Sequence, residues 1–225
     1  MALRLFLDSA HPADWQQWLP SGLFHGITTN PTLLRRAGLT CGCATLESLC
    51  HQAVELGCRE LHLQAWGADS VTLEQRGRGL AGLAPEVVVK VPISCAGAAA
   101  AQALIRDGLP LTLTACYGVP QVLVAAVLGA RYVAPYLGRI SDSGLDGEAE
   151  VRAMQASLRG LGSTTRLLVA SLRDTASLGR LTAAGLDTFT ISASMAAALL
   201  TNSQTEHAAR AFERDALDAG GDGPR

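Results

Sequence analysis

With 225 residues, 48% of them hydrophobic, the chain can bury one sizeable core, and a single α/β barrel fits the length as well as two small domains do. Eighteen basic residues against twenty acidic ones give a net charge of -2 with no basic block, which argues against nucleic acid or an anionic membrane as partner and leaves small-molecule work. No apolar run approaches bilayer-spanning length and the N-terminus runs straight into a strand-like pattern, so a cytoplasmic protein is expected.

From end to end, strand-like and helix-like stretches alternate. Strands read at 3–8, 25–28, 59–64, 87–91, 110–114, 131–135, 166–170 and 187–191, with helices at 11–19, 44–56, 69–82, 96–107, 117–129, 146–160, 174–184 and 193–200. Eight βα units in about 200 residues match a compact (β/α)8 TIM barrel better than an open doubly wound sheet, whose first strand would lead into a Gly-rich phosphate turn. Asp8-Ser9-Ala10 occupies that place instead. The expectation is therefore one barrel over residues 1–203, followed by an additional C-terminal helix at 204–217 and a Gly-rich tail that ends at Arg225. Six cysteines, at Cys41, Cys43, Cys50, Cys58, Cys95 and Cys116, are scattered through a chain too large to need stapling and read as reduced thiols. Cys41-Gly-Cys43 lacks a matching second pair, so no metal site is expected.

In barrels of this kind the chemistry gathers at the C-terminal strand ends. Asp8 closes the first strand, Thr28-Thr29-Asn30-Pro31 the second, Gln64 the third, Lys90 the fourth, and Thr112 with Thr114 the fifth. Tyr136 and Arg139 follow the sixth, Ser171 and Arg173 the seventh, and Ser192 with Ser194 the eighth. Singly, each has an ordinary structural explanation: Asp8 as a helix cap, Thr29-Asn30-Pro31 as a turn, Tyr136 as a core residue with its hydroxyl satisfied. Jointly they supply a carboxylate, a lysine, a phenol, an amide and two guanidiniums, with a basic pair near the strands where barrels commonly hold phosphate.

The fourth strand, Val87-Val88-Val89-Lys90-Val91-Pro92, is the centre of that set. Val88 and Lys90 share one face and Val87, Val89 and Val91 the other, so both faces are apolar and the lysine points into an interior. Burial disfavours the ammonium form, and a lysine neutralised in this way is a nucleophile suited to Schiff-base formation with a carbonyl.

Leu5-Phe6-Leu7-Asp8, Gly26-Ile27-Thr28-Thr29-Asn30-Pro31, Val88-Val89-Lys90-Val91-Pro92, Thr114-Ala115-Cys116-Tyr117-Gly118, Tyr132-Val133-Ala134-Pro135-Tyr136 and Ala170-Ser171-Leu172-Arg173 together resemble the transaldolase family over nearly the whole chain. Within it the chain resembles the small fructose-6-phosphate aldolase branch. The resemblance implies a class I aldolase with the Schiff base on Lys90 and with neither metal nor organic cofactor. Asp8, Gln64, Thr114 and Tyr136 are implied as its acid–base partners. Thr29, Asn30, Arg139, Ser171 and Arg173 are implied as binding a ketose phosphate. Gln64 stands where transaldolases usually carry Glu, and Ala134 and Tyr136 where they carry Ser and Phe, which is aldolase-like; Gly138-Arg139 is closer to transaldolase. Arg173 stands where the aldolase has Lys, and His62 and Thr112 are unlike the apolar residues of that branch. The expected reaction is reversible cleavage of a ketose phosphate such as fructose 6-phosphate. The alternatives are dihydroxyacetone transfer between sugar phosphates and, in another class, a non-catalytic sugar-phosphate-binding barrel. Small members of the family look like ring-forming homo-oligomers, which implies that the helix at 204–217 packs on a neighbouring subunit.

Overall fold

A computed structural model describes residues 2–221. Its strands are β1 (Arg4–Asp8), β2 (Gly26–Thr28), β3 (Glu60–Gln64), β4 (Val87–Pro92), β5 (Leu111–Cys116), β6 (Tyr132–Pro135), β7 (Arg166–Leu167) and β8 (Thr188–Ile191). All pair in parallel in the order β7-β6-β5-β4-β3-β2-β1-β8. Val169 then bridges to Phe189, with backbone bonds from Val169 N to Thr188 O at 3.0 Å and from Thr190 N to Val169 O at 2.9 Å. These two bonds close the ring, giving the eight-stranded barrel that the alternating pattern predicts.

The helices are α1 (Pro12–Trp18), α2 (Pro31–Arg36), α3 (Cys43–Glu55), α4 (Ser70–Ala81), α5 (Cys95–Arg106), α6 (Val119–Leu128), α7 (Leu137–Asp142), α8 (Gly147–Gly160), α9 (Thr175–Ala183), α10 (Ala193–Leu200) and α11 (Ser203–Asp218), and a 3-10 turn spans Leu19–Ser21. Many of them start where a short polar side chain can take up an orphan N–H. Asn30, Asp69, Ser94, Asp146, Asp174, Ser192 and Asn202 each accept a backbone hydrogen bond from the first turn, worth about 1 kcal/mol apiece. Two short helices, α2 and α7, interrupt stretches that the sequence pattern assigns to loops, and both follow strand ends that face the barrel mouth. The seventh strand, expected over 166–170, shrinks to a two-residue ladder because beyond Leu167 the chain bridges alternately to Phe189 and to Tyr136.

The alternation in β4 sorts side chains as anticipated. Val88 lies inside the barrel with Phe6, Tyr132, Ala134 and Leu168, while Val87, Val89 and Val91 join the larger core between strands and helices. Gly97 fixes how α5 meets that strand: a Cβ there would lie 1.8 Å from the Pro92 carbonyl oxygen, so only glycine lets the helix sit against the end of β4. α11 has no buried residue. All six cysteines are free, and no helix among the described residues is long and apolar enough to cross a membrane. The end of the Gly-rich tail, residues 222–225, lies outside the described residues.

Candidate active site

Lys90 is 6% exposed, and its Nζ donates to the Thr29 carbonyl oxygen at 2.9 Å. Desolvation pulls the amine below the usual lysine range, opposed by the carboxylate of Asp8. Asp8 is itself tied in: its Oδ1 accepts from Thr28 Oγ1 at 2.7 Å, and Thr28 Oγ1 lies 2.5 Å from Thr190 Oγ1. β1, β2 and β8 thus hold the carboxylate on one side of the amine.

The other side is organised by an amide. Gln64 Nε2 donates to the carbonyl oxygens of Ala65 and Lys90, both at 3.1 Å, which leaves Gln64 Oε1 to accept from Thr114 Oγ1 at 3.2 Å. Thr114 also hydrogen-bonds Tyr136. Burial raises the phenol's pKa, against the contact with Thr114 and the charge of Arg139, so Tyr136 keeps its proton at neutral pH. The guanidinium of Arg139 lies 4.9 Å over the Tyr136 ring and its Nη1 donates to Tyr117 Oη at 3.4 Å.

These groups share one cavity of about 460 Å³ at the C-terminal mouth of the barrel. Asp8, Asn30, Gln64, Lys90, Thr114, Tyr136, Arg139 and Ser171 line it, eight of the ten site residues that the family resemblance implies. Thr29 stands behind the wall, meeting Lys90 through its carbonyl while its hydroxyl stays buried without a hydrogen-bond partner. Arg173 is turned away, because the carboxylate of Asp142 at the end of α7 captures its guanidinium, and it lines a separate groove with Asp174 and Arg180. In its place the cavity has Arg36 from α2, which sequence reading left out. The signal was present in Asn30-Pro31, a helix-starting cap and N1 pair that puts Arg36 in the following turns rather than in a loop.

The rim of this cavity is strained. Ala115 (φ 56) and Ser171 (φ 62) are the only non-glycine residues of the described chain in the left-handed region, and both line the cavity. Ser171 is held there by its carbonyl, which accepts from Gly138 N at 3.0 Å. A Cβ on Gly138 would come within 2.4 Å of that oxygen, so the glycine is what permits the approach.

His62 and Thr112 fall below the cavity. Glu60, deep in the barrel, accepts from Tyr132 Oη at 2.6 Å and from Arg4 and Arg131, each at 3.3 Å. His62 Nε2 lies 3.3 Å from Glu60 and His62 Nδ1 lies 3.0 Å from Thr112 Oγ1. Burial would raise the Glu60 pKa, but the hydrogen bonds of His62 and Tyr132 hold it at about 2. Burial brings His62 down to about 4, against the pull of Glu60. A neutral His62 then donates through Nε2 to the carboxylate and accepts at Nδ1 from the threonine.

A family model described as Transaldolase/Fructose-6-phosphate aldolase matches residues 5–220. A probable transaldolase of Phenylobacterium zucineum (strain HLK1) is 32% identical over 213 residues, covering 95% of this chain and 96% of that protein. One of Caulobacter vibrioides (strain NA1000 / CB15N) is 31% identical over 218 residues, covering 97% and 98%. Among solved structures, a mandelate oxidase mutant with a monooxide FMN adduct superposes with a TM-score of 0.58 at 15% identity. The match covers 84% of this chain and 64% of that one, a likeness of barrel fold alone. The family match spans the whole barrel, from β1 to α11, and takes in Asp8, Lys90 and Tyr136 together: this chain belongs to the transaldolase/fructose-6-phosphate aldolase family.

Proposed function

We propose that the chain is a class I aldolase that reversibly cleaves a ketose phosphate such as fructose 6-phosphate into dihydroxyacetone and glyceraldehyde 3-phosphate. The observation that carries this reading is the Gln64–Thr114–Tyr136 hydrogen-bonded set beside a desolvated Lys90, in which the third strand offers an amide rather than a carboxylate. The neutral amine adds to the ketose carbonyl, and loss of water gives the imine. As the C3–C4 bond breaks, its electron pair moves into the imine and the C4 hydroxyl proton passes to Asp8, while Asn30 steadies the substrate hydroxyls. The aldehyde phosphate then leaves the side of the mouth held by Arg139 and Ser171. A water held by Gln64 and Thr114 passes the Tyr136 proton to C3, the proton taken up by Asp8 returns to the phenolate through water, and hydrolysis frees dihydroxyacetone and restores Lys90.

A second reading keeps the same intermediate but hands it to an aldose phosphate, making the enzyme a transaldolase. That the two relatives are named probable transaldolases favours it. A panel of donors and acceptors scored for free dihydroxyacetone separates the two. An aldolase releases dihydroxyacetone from fructose 6-phosphate with no acceptor present, whereas release only as a transferred unit, on adding an aldose phosphate, would make the enzyme a transferase. A barrel that merely binds sugar phosphates would form no borohydride-trapped adduct with either.

A further inference from the structure

The cavity wall built by α2 carries a guanidinium for which cleavage of a monophosphate has no use. Asn30, Pro31, Thr32, Leu33 and Arg36 all line it. Asn30 spends its carbonyl oxygen on the helix cap, accepting from Thr32 N at 3.0 Å and Leu33 N at 3.1 Å, so its NH2 remains for a ligand. Arg36 is exposed to the cavity and, among the described residues, has neither a hydrogen bond nor an ion pair. The other two guanidiniums near the mouth are both held. Arg139 is drawn onto Tyr136 and Tyr117, and Arg173 is paired with Asp142.

Position separates Arg36 from Arg139 as well. In a ring of eight strands ordered β7-β6-β5-β4-β3-β2-β1-β8, β2 and β6 stand four strands apart in either direction, on opposite walls, and β4 with Lys90 stands two strands from each. A single phosphate kept on the β6–β7 side therefore leaves the α2 wall with an uncompensated cation. Guanidiniums placed singly in a cleft are suited to a second anionic oxygen cluster.

We infer that Arg36, with Asn30 and Thr32, forms a second anion subsite, and that the cavity takes an open-chain ketose with an anionic group at each end, a ketose bisphosphate; this rests on the imine chemistry proposed above. The carbonyl carbon is fixed at Lys90, the distal phosphate lies on Arg139 and Ser171, and the phosphate nearest the carbonyl reaches Arg36. The same C3–C4 bond breaks, its electrons entering the imine and the C4 hydroxyl proton going to Asp8. After protonation at C3 and hydrolysis the ketone half leaves as dihydroxyacetone phosphate, with water the only co-reactant.

Calorimetric titration of the full chain with fructose 6-phosphate and with fructose 1,6-bisphosphate tests the subsite without requiring turnover. The bisphosphate should bind about tenfold tighter or better, the equivalent of about 1.4 kcal/mol, roughly one charge-assisted contact. Arg36→Gln should cut that ratio to about twofold or less, and Arg36→Lys should restore part of it, since an ammonium keeps the charge but not the fork. Arg139→Gln should instead weaken both sugars. A bisphosphate that binds no tighter than the monophosphate, or whose advantage survives Arg36→Gln, overturns the proposal. Borohydride trapping of the same mixtures reads the other assumption: adducts missing with both sugars, while the tenfold ratio holds, would remove the imine chemistry and leave the anion subsite standing.

Discussion

At the scale of single residues, Lys90 and Tyr136 divide the chemistry between them. Lys90→Met exchanges a desolvated amine for an apolar chain of similar reach, so borohydride should no longer attach substrate while the melting temperature holds or rises. Mass spectrometry reads the outcome, and an adduct that persists in this variant reassigns the nucleophile. Tyr136→Phe keeps the ring under Arg139 and deletes the proton. Dihydroxyacetone release should fall on the order of a hundred-fold, while imine trapping falls much less. Unchanged release would take the phenol out of the mechanism and return the proton step to Asp8 or Gln64.

At the scale of the element, β3 does two jobs, presenting Gln64 to the cavity and Glu60 and His62 to the barrel interior. Glu60 has its pKa lowered to about 2 and His62 to about 4, so for both the unfolded chain binds more protons than the folded one as pH falls. Their contribution is complete above the unfolded histidine range, near pH 6.5; the His62 part is lost as pH falls from 6.5 through 4, and the Glu60 part as it falls from 4.5 toward 2. Thermal melts should show stability falling on acidification, with up to about 3 kcal/mol from His62 alone, and His62→Leu should flatten the pH 6.5 to 4 part of the curve. A slope unchanged in that variant would place the acid sensitivity elsewhere. The same element explains what the sequence could disclose. Period-2 alternation exposed the two faces of β4, and the 3.6-residue period exposed the long helices, because both patterns repeat often enough to be read. α2 and α7 have six residues each, too few for a period, and Pro31 reads as a turn as readily as a helix start. Missing α2 hid Arg36, and missing α7 hid Asp142, the partner that withdraws Arg173 from the cavity.

At the scale of the molecule, α11 is the unpartnered part. Phe212 is 71% exposed and Leu217 54%, on a helix with no buried residue, and the outer face of α6 leaves Leu123, Val124 and Val127 open. We propose that α11 packs on a neighbouring copy in a ring-forming homo-oligomer, with Phe212 as its anchor. Deleting residues 204–225 should give a smaller species by light scattering, and an unchanged mass would exclude that role. The barrel itself is closed unevenly. β4 pairs with β5 over four residue pairs, whereas the backbones at the β7–β8 seam are joined around Val169 by the two bonds described above, with the Arg166 side chain reaching Thr188 below them, and Ser171 hangs two residues beyond that junction. In terms of fluctuation the ring therefore has a hinge line, and the amides of Val169 and Thr190 should exchange with deuterated solvent sooner than those of β4. A sugar phosphate bridging Ser171 and Arg139 would span the strands beside that line, slowing exchange there, so substrate occupancy and the breathing of the barrel wall are coupled through a single residue's backbone.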